Sequence, residues 1–80
     1  MWYVYFLRSL SNPKKTYVGI TDLMDKRLSK HDEGGSAHTA PFRPWELVAY
    51  IAVPTKQQAV KLERYLKEGS GHAWVHKHLW

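Results

Sequence analysis

Three stretches rich in aromatic and β-branched residues predict three β-strands. The first two are WYVYFLR at residues 2–8 and TYVGIT at residues 16–21, separated by the turn-rich SLSNPKK. Two short strands joined by such a turn are typical of an antiparallel hairpin. The third stretch, WELVAYIAV at residues 45–53, is largely apolar on both faces, so we expect it to be the best covered of the three strands.

A first helix is predicted directly after the hairpin. Either Thr21 or Asp22 can cap its N-terminus, and Asp25 suits the positive end of the helix dipole. We expect the helix to end near DEGG at residues 32–35, because the two glycines supply a break. The next stretch, SAHTAPFRP at residues 36–44, is predicted to be a loop.

A second, longer helix is predicted after the third strand. Thr55 is expected to cap KQQAVKLERYLKE at residues 56–68. Gly69 and Gly71 are expected to break this helix, because glycine disfavours a helix interior. The remaining HAWVHKHLW, at residues 72–80, is predicted to form a last short helix or a tail.

The element order β-β-α-β-α(-α) predicts an α/β (α+β) fold, a small sandwich in which helices flank a three-stranded, mostly antiparallel sheet. Eighty residues make one domain, 1–80, and leave no room for a second core. The chain is 44% hydrophobic, with four Trp and five Tyr, which is enough for a compact core. Because the sequence has no cysteine, a disulfide framework and a thiolate zinc site are both excluded.

Charge and hydropathy narrow the class of protein further. The formal net charge of +5 fits an anionic partner, most often nucleic acid, although many small basic domains bind nothing in particular. The longest apolar runs are about the length of a strand, and the N-terminus lacks the layout of a signal peptide. We therefore expect a cytoplasmic protein without a membrane partner.

The first helix carries two polar residues on its apolar side. At about 100° per residue, Leu23, Met24 and Leu28 define an apolar arc. Arg27 and His31 lie one helical turn apart and fall inside that arc rather than opposite it. The pattern therefore predicts that an arginine and a histidine face the body of the protein.

The second helix has a carboxylate in the same kind of position. Its buried stripe is predicted to comprise Ala59, Leu62 and Leu66. Glu63 lies within that arc, where a carboxylate costs free energy unless it is paired. An ion pair with Lys67 or Arg27 would explain it, and so would a functional role. A carboxylate, an arginine and a histidine beside a tyrosine-rich hairpin predict a phosphate-handling site.

The two strands of the hairpin carry motifs that resemble those of the GIY-YIG nuclease family. Tyr3-Val4-Tyr5 on the first strand and Tyr17-Val18-Gly19 on the following one are similar to its paired motifs. Tyr3 stands where the name-giving glycine would be, and the late asparagine of some members is absent, since Asn12 in the hairpin turn is the only asparagine.

The resemblance continues beyond the hairpin and covers nearly the whole chain, from residue 2 to about 71. The family pattern has an arginine on the next helix, a histidine or tyrosine one turn later, and a glutamate on the following long helix. Arg27, His31 and Glu63 occupy these places in order. The short length, RPWELV at 43–48 and LKEGSGHAW at 66–74 resemble the stand-alone bacterial members that consist of little but this domain.

The resemblance implies a metal-dependent endonuclease that hydrolyses phosphodiester bonds. Glu63 is the candidate ligand for a single Mg²⁺ or Mn²⁺ ion, and the planar guanidinium of Arg27 can grip two phosphate oxygens. Tyr5 or Tyr17 is implied as the base, but a phenol ordinarily titrates near pH 10. His31 can serve directly or through Tyr5, and we favour a role shared by Tyr5 and His31. Without the motif order, plain sheet packing would explain both tyrosines.

Basic residues are predicted to line the approach of the nucleic-acid backbone. The candidates are Lys14, Lys15, Lys30, Arg43 and Lys67. Each of them is, taken singly, equally typical of a solvated surface. The histidines at positions 72, 76 and 78 include an i, i+4 pair that can hold zinc, but a basic patch is favoured because no convincing third ligand is present.

The preferred function is a metal-dependent DNA endonuclease, for which repair and recombination are candidate roles and branched or damaged DNA are candidate substrates. The alternative is a nucleic-acid-binding module of the same fold whose nuclease activity is weak or depends on a partner. A pure protein-interaction domain would leave Arg27, His31 and Glu63 unexplained. The sequence does not distinguish DNA from RNA, or duplex from branched or single-stranded substrates.

Overall fold

The computed structural model describes residues 1–35 and 37–80, so that Ser36 of the predicted loop lies outside the described residues. The described residues form three strands, β1 (Trp2–Ser9), β2 (Thr16–Thr21) and β3 (Trp45–Val53), and three α-helices, α1 (Met24–Asp32), α2 (Lys56–Lys67) and α3 (Gly69–His78). A single 3₁₀ turn, Ala40–Phe42, precedes β3. The predicted fold class and element order are confirmed, and both strand pairings are antiparallel.

The first strand, β1, lies in the centre of the sheet, which has the order β2-β1-β3. Its central residues from Val4 to Leu7 are all buried, whereas only Trp45 is buried in β3. The prediction that the third strand is the best covered is therefore wrong. Because β3 pairs along one edge only, its apolar residues remain partly exposed, while β1 is paired on both sides and covered on both faces.

The alternation of side chains along β1 separates two layers of the core. Val4 and Phe6 point to one face, where the packed residues include Ala59, Leu66 and Val75 of α2 and α3. Tyr5 and Leu7 point to the other face, where they pack with Trp45 and with residues of α1. The sheet thus lies between α1 on one side and the α2–α3 pair on the other.

The hairpin between β1 and β2 is closed by local hydrogen bonds. The Ser9 hydroxyl accepts from the backbone N–H of Asn12 at 3.0 Å, and the Asn12 carbonyl accepts from Lys15 N–H at 2.8 Å. The side-chain oxygen of Asn12 also accepts from Lys14 N–H at 3.3 Å. This compact turn places Lys14 and Lys15 at the end of the hairpin, directly before β2.

The start of α1 differs from the sequence prediction. Leu23 occupies the N-cap position and makes no side-chain cap. The Thr21 hydroxyl accepts instead from Leu23 N–H at 3.0 Å, one residue before the helix. The proposed capping by Thr21 or Asp22 is therefore wrong, and Leu23 is exposed rather than part of the apolar arc. The predicted end near residues 32–35 is confirmed, since the helix ends at Asp32.

The predicted cap of α2 is confirmed, but the predicted break after it is only partly right. The Thr55 hydroxyl accepts from Gln58 N–H at 3.2 Å, and the Gln58 side chain accepts from Thr55 N–H at 3.2 Å. Gly69 has a positive φ of 54° and begins α3, separated from the end of α2 at Lys67 by Glu68 alone. Gly71 does not end α2: it lies within α3, where a Cβ would overlap the Tyr65 carbonyl oxygen. Its role is the close packing of the two helices.

Within the described residues, no helix has the length and apolar character needed to cross a membrane.

Candidate active site

A buried hydrogen bond between Tyr5 and His31 forms the centre of the candidate site. The Tyr5 hydroxyl lies 3.0 Å from His31 Nε2, and each residue is only 1% exposed. Tyr5 points from the centre of β1 toward α1, and His31 lies in the last turn of that helix. The prediction that His31 faces the body of the protein is confirmed.

Gly19 makes room for this hydrogen bond. It lies directly opposite Tyr5 in the pairing of β1 with β2. A Cβ at Gly19 would lie 2.6 Å from the Tyr5 hydroxyl oxygen, closer than real Cβ contacts. The glycine of the Tyr17-Val18-Gly19 motif is therefore required for space, because the phenol of Tyr5 passes over it to reach His31.

Thr39 holds the other side of the His31 ring. Its hydroxyl lies 2.7 Å from His31 Nδ1, the residue is 2% exposed, and its backbone carbonyl accepts from Trp45 Nε1 at 2.8 Å. Both ring nitrogens of His31 are thus engaged, so that the neutral ring donates from one nitrogen and accepts at the other. Sequence reasoning missed Thr39, because a polar residue in an irregular loop has no periodicity that marks it as buried.

Tyr17 connects the buried pair to a cleft. Its ring centroid lies 4.9 Å from that of His31 in an edge-to-face arrangement and 6.0 Å from that of Tyr5. We use the name Tyr17 cleft for a depression of about 430 Å³ lined by Lys15, Thr16, Tyr17, Val18, His38, Thr39, Phe42, Trp45 and Lys67. Tyr17 is partly exposed in this cleft, whereas Tyr5 lies behind it.

Arg27 and Glu63 lie within electrostatic range of Tyr5. The Arg27 charge lowers the pKa of Tyr5, whereas the Glu63 charge raises it. Arg27 comes from α1 and is partly buried, and Glu63 comes from α2 in the opposite layer. The fold thus brings the charges of Arg27 and Glu63 close enough to affect the Tyr5 hydroxyl.

The net effect of this environment is to keep both members of the central pair neutral at pH 7. Burial raises the pKa of Tyr5 well above its ordinary value, and the neighbouring Tyr17 raises it further. Burial lowers the pKa of His31, as does the charge of Arg27, against an opposing effect of Asp32. Tyr5 therefore keeps its proton, and neutral His31 keeps one ring nitrogen as a hydrogen-bond acceptor at pH 7.

Glu63 forms the ion pair that the sequence offered as an alternative to a metal ligand. Its Oε2 lies 3.4 Å from Lys67 Nζ, with the side chains 23% and 50% exposed, respectively. A pair this exposed contributes about 0–1 kcal/mol, so that Lys67 can turn away at little cost. Among the described residues no group of three or more His, Cys, Asp or Glu side chains could hold a metal ion. A lone, partly exposed carboxylate fits a hard cation that keeps most of its waters.

The five predicted backbone-binding residues do not lie in one place. Lys15 and Lys67 line the Tyr17 cleft, with Lys15 Nζ 5.2 Å from the Phe42 ring centroid. Lys30 lines a groove beside Arg27. The Nε of Arg43 donates to the Ala40 carbonyl at 3.0 Å, and its guanidinium lies over Gly34. Lys14 lies in a separate cleft beside α3.

The histidines of α3 do not form a zinc site with a third ligand in the part of the chain that the structure describes. The rings of His72 and His76 are stacked, with centroids 6.0 Å apart and planes inclined by 11°. His78 instead contacts Trp74, with ring centroids 5.0 Å apart.

Comparison with known proteins identifies a family that matches most of this chain. Residues 1–74 match the family described as the GIY-YIG catalytic domain. The chain is 34% identical to the structure-specific endonuclease subunit SLX1 of Debaryomyces hansenii, over 95% of this chain and 23% of that protein. It is 31% identical to a UPF0213 protein of Cupriavidus pinatubonensis, over 86% of this chain and 76% of that protein.

A solved structure is similar over almost the whole chain. The solution NMR structure of a UPF0213 protein from Bacillus halodurans superposes with a TM-score of 0.54 at 33% identity, covering 95% of this chain and 81% of that one. The chain spans about a quarter of the length of the SLX1 protein from Debaryomyces hansenii. Both the family match and the order of Tyr5, Gly19, Arg27, His31 and Glu63 lead to one assignment: this chain belongs to the GIY-YIG catalytic domain family.

Proposed function

We propose that this domain is an endonuclease that hydrolyses phosphodiester bonds in DNA with the help of a single Mg²⁺ or Mn²⁺ ion. The observation that carries the proposal is the buried hydrogen bond of 3.0 Å between Tyr5 and His31, which has Arg27 and Glu63 within electrostatic range. Sheet packing alone would not require a histidine with both nitrogens engaged.

The proton of the attacking water is handled by Tyr5 and His31 together. Tyr5 alone cannot act as the base at pH 7, because its raised pKa keeps the phenol protonated. With His31 neutral and Nε2 accepting, the Tyr5 oxygen takes the proton of the water while its own proton passes to Nε2. Thr39 holds the ring during this transfer through Nδ1. Tyr17, which lines the cleft and touches both rings, positions the water or a phosphate oxygen at its hydroxyl.

Charge on the reacting phosphate is stabilised by the arginine. The guanidinium of Arg27 grips two nonbridging oxygens as negative charge develops on them. Its charge also lowers the pKa of Tyr5, against the larger effect of burial, and so eases the loss of the Tyr5 proton. The P–O bond to the leaving oxygen breaks as the water oxygen bonds to phosphorus.

The carboxylate of Glu63 would hold the metal ion. When bound, such an ion supplies charge neutralisation on the phosphate and stabilises the leaving oxygen. Glu63 would hold the ion once it is released from Lys67, whose ammonium lines the Tyr17 cleft and would then meet the phosphate. Lys15 and Lys67 bind the nucleic-acid backbone on the two sides of Tyr17.

The substrate is DNA, in repair or recombination. The net charge of +5 supports a nucleic-acid partner, and several similar proteins carry the name structure-specific endonuclease subunit, which supports branched DNA among the candidates.

One observation favours an alternative function. Lys67 neutralises Glu63 at 3.4 Å, and if it stays there the site holds no cation. The domain would then be a nucleic-acid-binding module with weak or partner-dependent nuclease activity.

A panel of labelled DNA substrates tests the proposal and separates the two functions. Duplex, single-stranded, flapped and four-way branched DNA are incubated with the protein, with and without Mg²⁺ or Mn²⁺. We expect cleavage of at least one substrate only with metal, and none by the Glu63→Gln variant. Binding of DNA without any cleavage would favour the binding module.

A further inference from the structure

A second cleft lies on the other side of the hairpin turn from the Tyr17 cleft. We call it the α3 cleft, a depression of about 520 Å³ lined by Pro13, Lys14, Thr16, His72, His76 and Trp80. The roles assigned above to the catalytic residues involve none of these side chains.

The chemistry of the α3 cleft fits an anion. Lys14 contributes an ammonium group, and His72 and His76 present their imidazole rings one helical turn apart on the exposed side of α3. No aspartate or glutamate is among the described residues that line the cleft. The Arg8 guanidinium, 5.8 Å from the ring centroid of Trp80, adds positive charge behind it. Phosphate oxygens suit a lysine and ring N–H donors that converge in this way.

The two clefts meet at the beginning of β2. Thr16 lines both of them, and the consecutive lysines before it separate, with Lys15 in the Tyr17 cleft and Lys14 in the α3 cleft. A nucleic-acid strand that leaves the Tyr17 cleft past Thr16 would therefore meet a second set of hydrogen-bond donors, those of the α3 cleft.

We propose that the α3 cleft binds the phosphodiester backbone of a nucleic-acid strand that extends from the Tyr17 cleft. The proposal rests on the proposed function in that this strand is the substrate. The cleft adds affinity for long substrates and has no part in the chemical step. It also explains why Lys14 and Lys15 face different clefts: they follow one nucleic-acid strand around the hairpin turn.

Binding measured without metal tests the proposal independently of cleavage. Fluorescence anisotropy is recorded with two labelled single strands, of about 4 and about 16 nucleotides. The variant with both His72→Gln and His76→Gln should bind the long strand roughly tenfold more weakly and the short strand as the parent does. His78→Gln is the matched control, since His78 lies on the same helix but contacts Trp74. It should bind both strands like the parent.

Salt dependence gives a second measurement. For the long strand, log affinity falls as log salt rises, and Lys14→Gln should make this negative slope shallower by about 0.7. Lys61→Gln, at an exposed position of α2, should leave the slope unchanged. All four variants should unfold at the temperature of the parent, because the substituted side chains are exposed.

The outcomes separate the two proposals. A double histidine variant that binds the long strand as tightly as the parent would overturn the role of the α3 cleft, even if the protein cleaves DNA. Weaker binding of the long strand by that variant would support the role of the α3 cleft even if the protein cuts no DNA. The absence of cleavage would overturn only the proposed endonuclease activity. Equal weakening for both strands would also count against the cleft, because its contacts lie beyond the reach of the short strand.

Discussion

At the scale of single residues, burial decides which group can take a proton. The Tyr5 hydroxyl holds its proton because its pKa is raised by burial, and His31 is neutral because burial lowers its pKa. Neither group acts well alone, but a 3.0 Å hydrogen bond joins them. In the proposed mechanism the accepting ring nitrogen of His31 takes the proton that Tyr5 must lose.

The pH dependence of cleavage tests this division. A rate that needs neutral His31 falls only when the pH drops through the pKa of His31, which is lowered, so that the acidic limb should lie below the ordinary histidine value of about 6.5. His31→Ala should slow cleavage and flatten this limb. The measurement is kcat/KM as a function of pH. An unchanged acidic limb in the variant would remove histidine from the proton chemistry and favour a tyrosine alone.

Arg27 is expected to act through its shape as well as its charge. Arg27→Lys should nearly abolish cleavage while leaving the fold intact, because an ammonium cannot grip two phosphate oxygens at once. Single-turnover cleavage and a thermal melt of each protein provide the measurement. Arg64→Lys, at an exposed position of α2, serves as the control and should cut like the parent. If the Arg27→Lys variant cuts at close to the parent rate, the assigned role of Arg27 is lost.

Some residues of the candidate site are predictable from the sequence and others are not, for a physical reason. Arg27, His31 and Glu63 lie on helices, where the period of 3.6 residues shows that a polar group faces inward. Thr39 lies between two elements, and its contact with His31 depends on how the loop folds back over α1. The burial of a loop residue depends on contacts distant in sequence, and no local pattern records them.

At the scale of elements, α2 combines a buried structural stripe with Glu63, the proposed metal ligand. Glu63→Leu should be inactive and yet as stable as the parent, or more so. The loss of an exposed ion pair costs about 0–1 kcal/mol, and an apolar side chain that extends the buried stripe gains on the order of 1 kcal/mol. Metal-free thermal melts beside a cleavage assay give the comparison.

A large drop in melting temperature would contradict that expectation for Glu63. It would mean that the pair with Lys67 is buried enough for its loss to cost about 3 kcal/mol or more. Lys67→Met distinguishes the partners, since it removes the ammonium while Glu63 keeps its place. The Lys67→Met variant should still require metal for cleavage.

The pairing of β1 with β2 offers a test of the steric role of Gly19. Gly19→Ala should weaken cleavage strongly and destabilise the fold by about 1–3 kcal/mol, because the added Cβ meets the Tyr5 hydroxyl at 2.6 Å. Chemical denaturation and cleavage assays measure the two effects. Combining it with Tyr5→Phe, which removes that hydroxyl, should recover part of the stability but none of the activity. Full activity of Gly19→Ala would show that Tyr5 moves aside without cost.

Element boundaries were predictable where a local contact sets them. The cap of α2 is closed within four residues by Thr55 and Gln58, and the sequence predicts Thr55 as the capping residue. The coverage of β3 is not local, because it depends on which strand lies in the middle of the sheet. Gly71 is similar: its missing side chain allows α3 to approach Tyr65, a requirement of helix packing rather than of a helix end.

At the scale of the whole molecule, the positive charge surrounds the hairpin rather than forming one patch. Lys14 and Lys15 lie on opposite sides of the turn, and Lys67 approaches from α2. We expect DNA affinity to fall steeply with added salt, because binding to phosphates releases counterions. Substituting Lys14 and Lys15 together by Gln should lower affinity without changing the metal requirement.

Titrations at several salt concentrations measure this dependence. A double Lys56→Gln and Lys61→Gln variant removes the same charge from α2, away from both clefts, and controls for net charge. A complex that is insensitive to salt would instead identify a protein partner as the ligand. Equal losses in the two double variants would show that only the total charge matters.

The contact between Gly19 and Tyr5 has a consequence for how such domains diverge over time. The glycine is held in the sequence by an atom on the neighbouring strand and not by its own backbone angles, since its φ is not in the left-handed region. Once a descendant loses the phenol, selection on the glycine relaxes, and the vacated space can be filled. We therefore expect a side chain at the position of Gly19 only in related domains that also lack the phenol of Tyr5, and in those domains the proposed proton relay is absent.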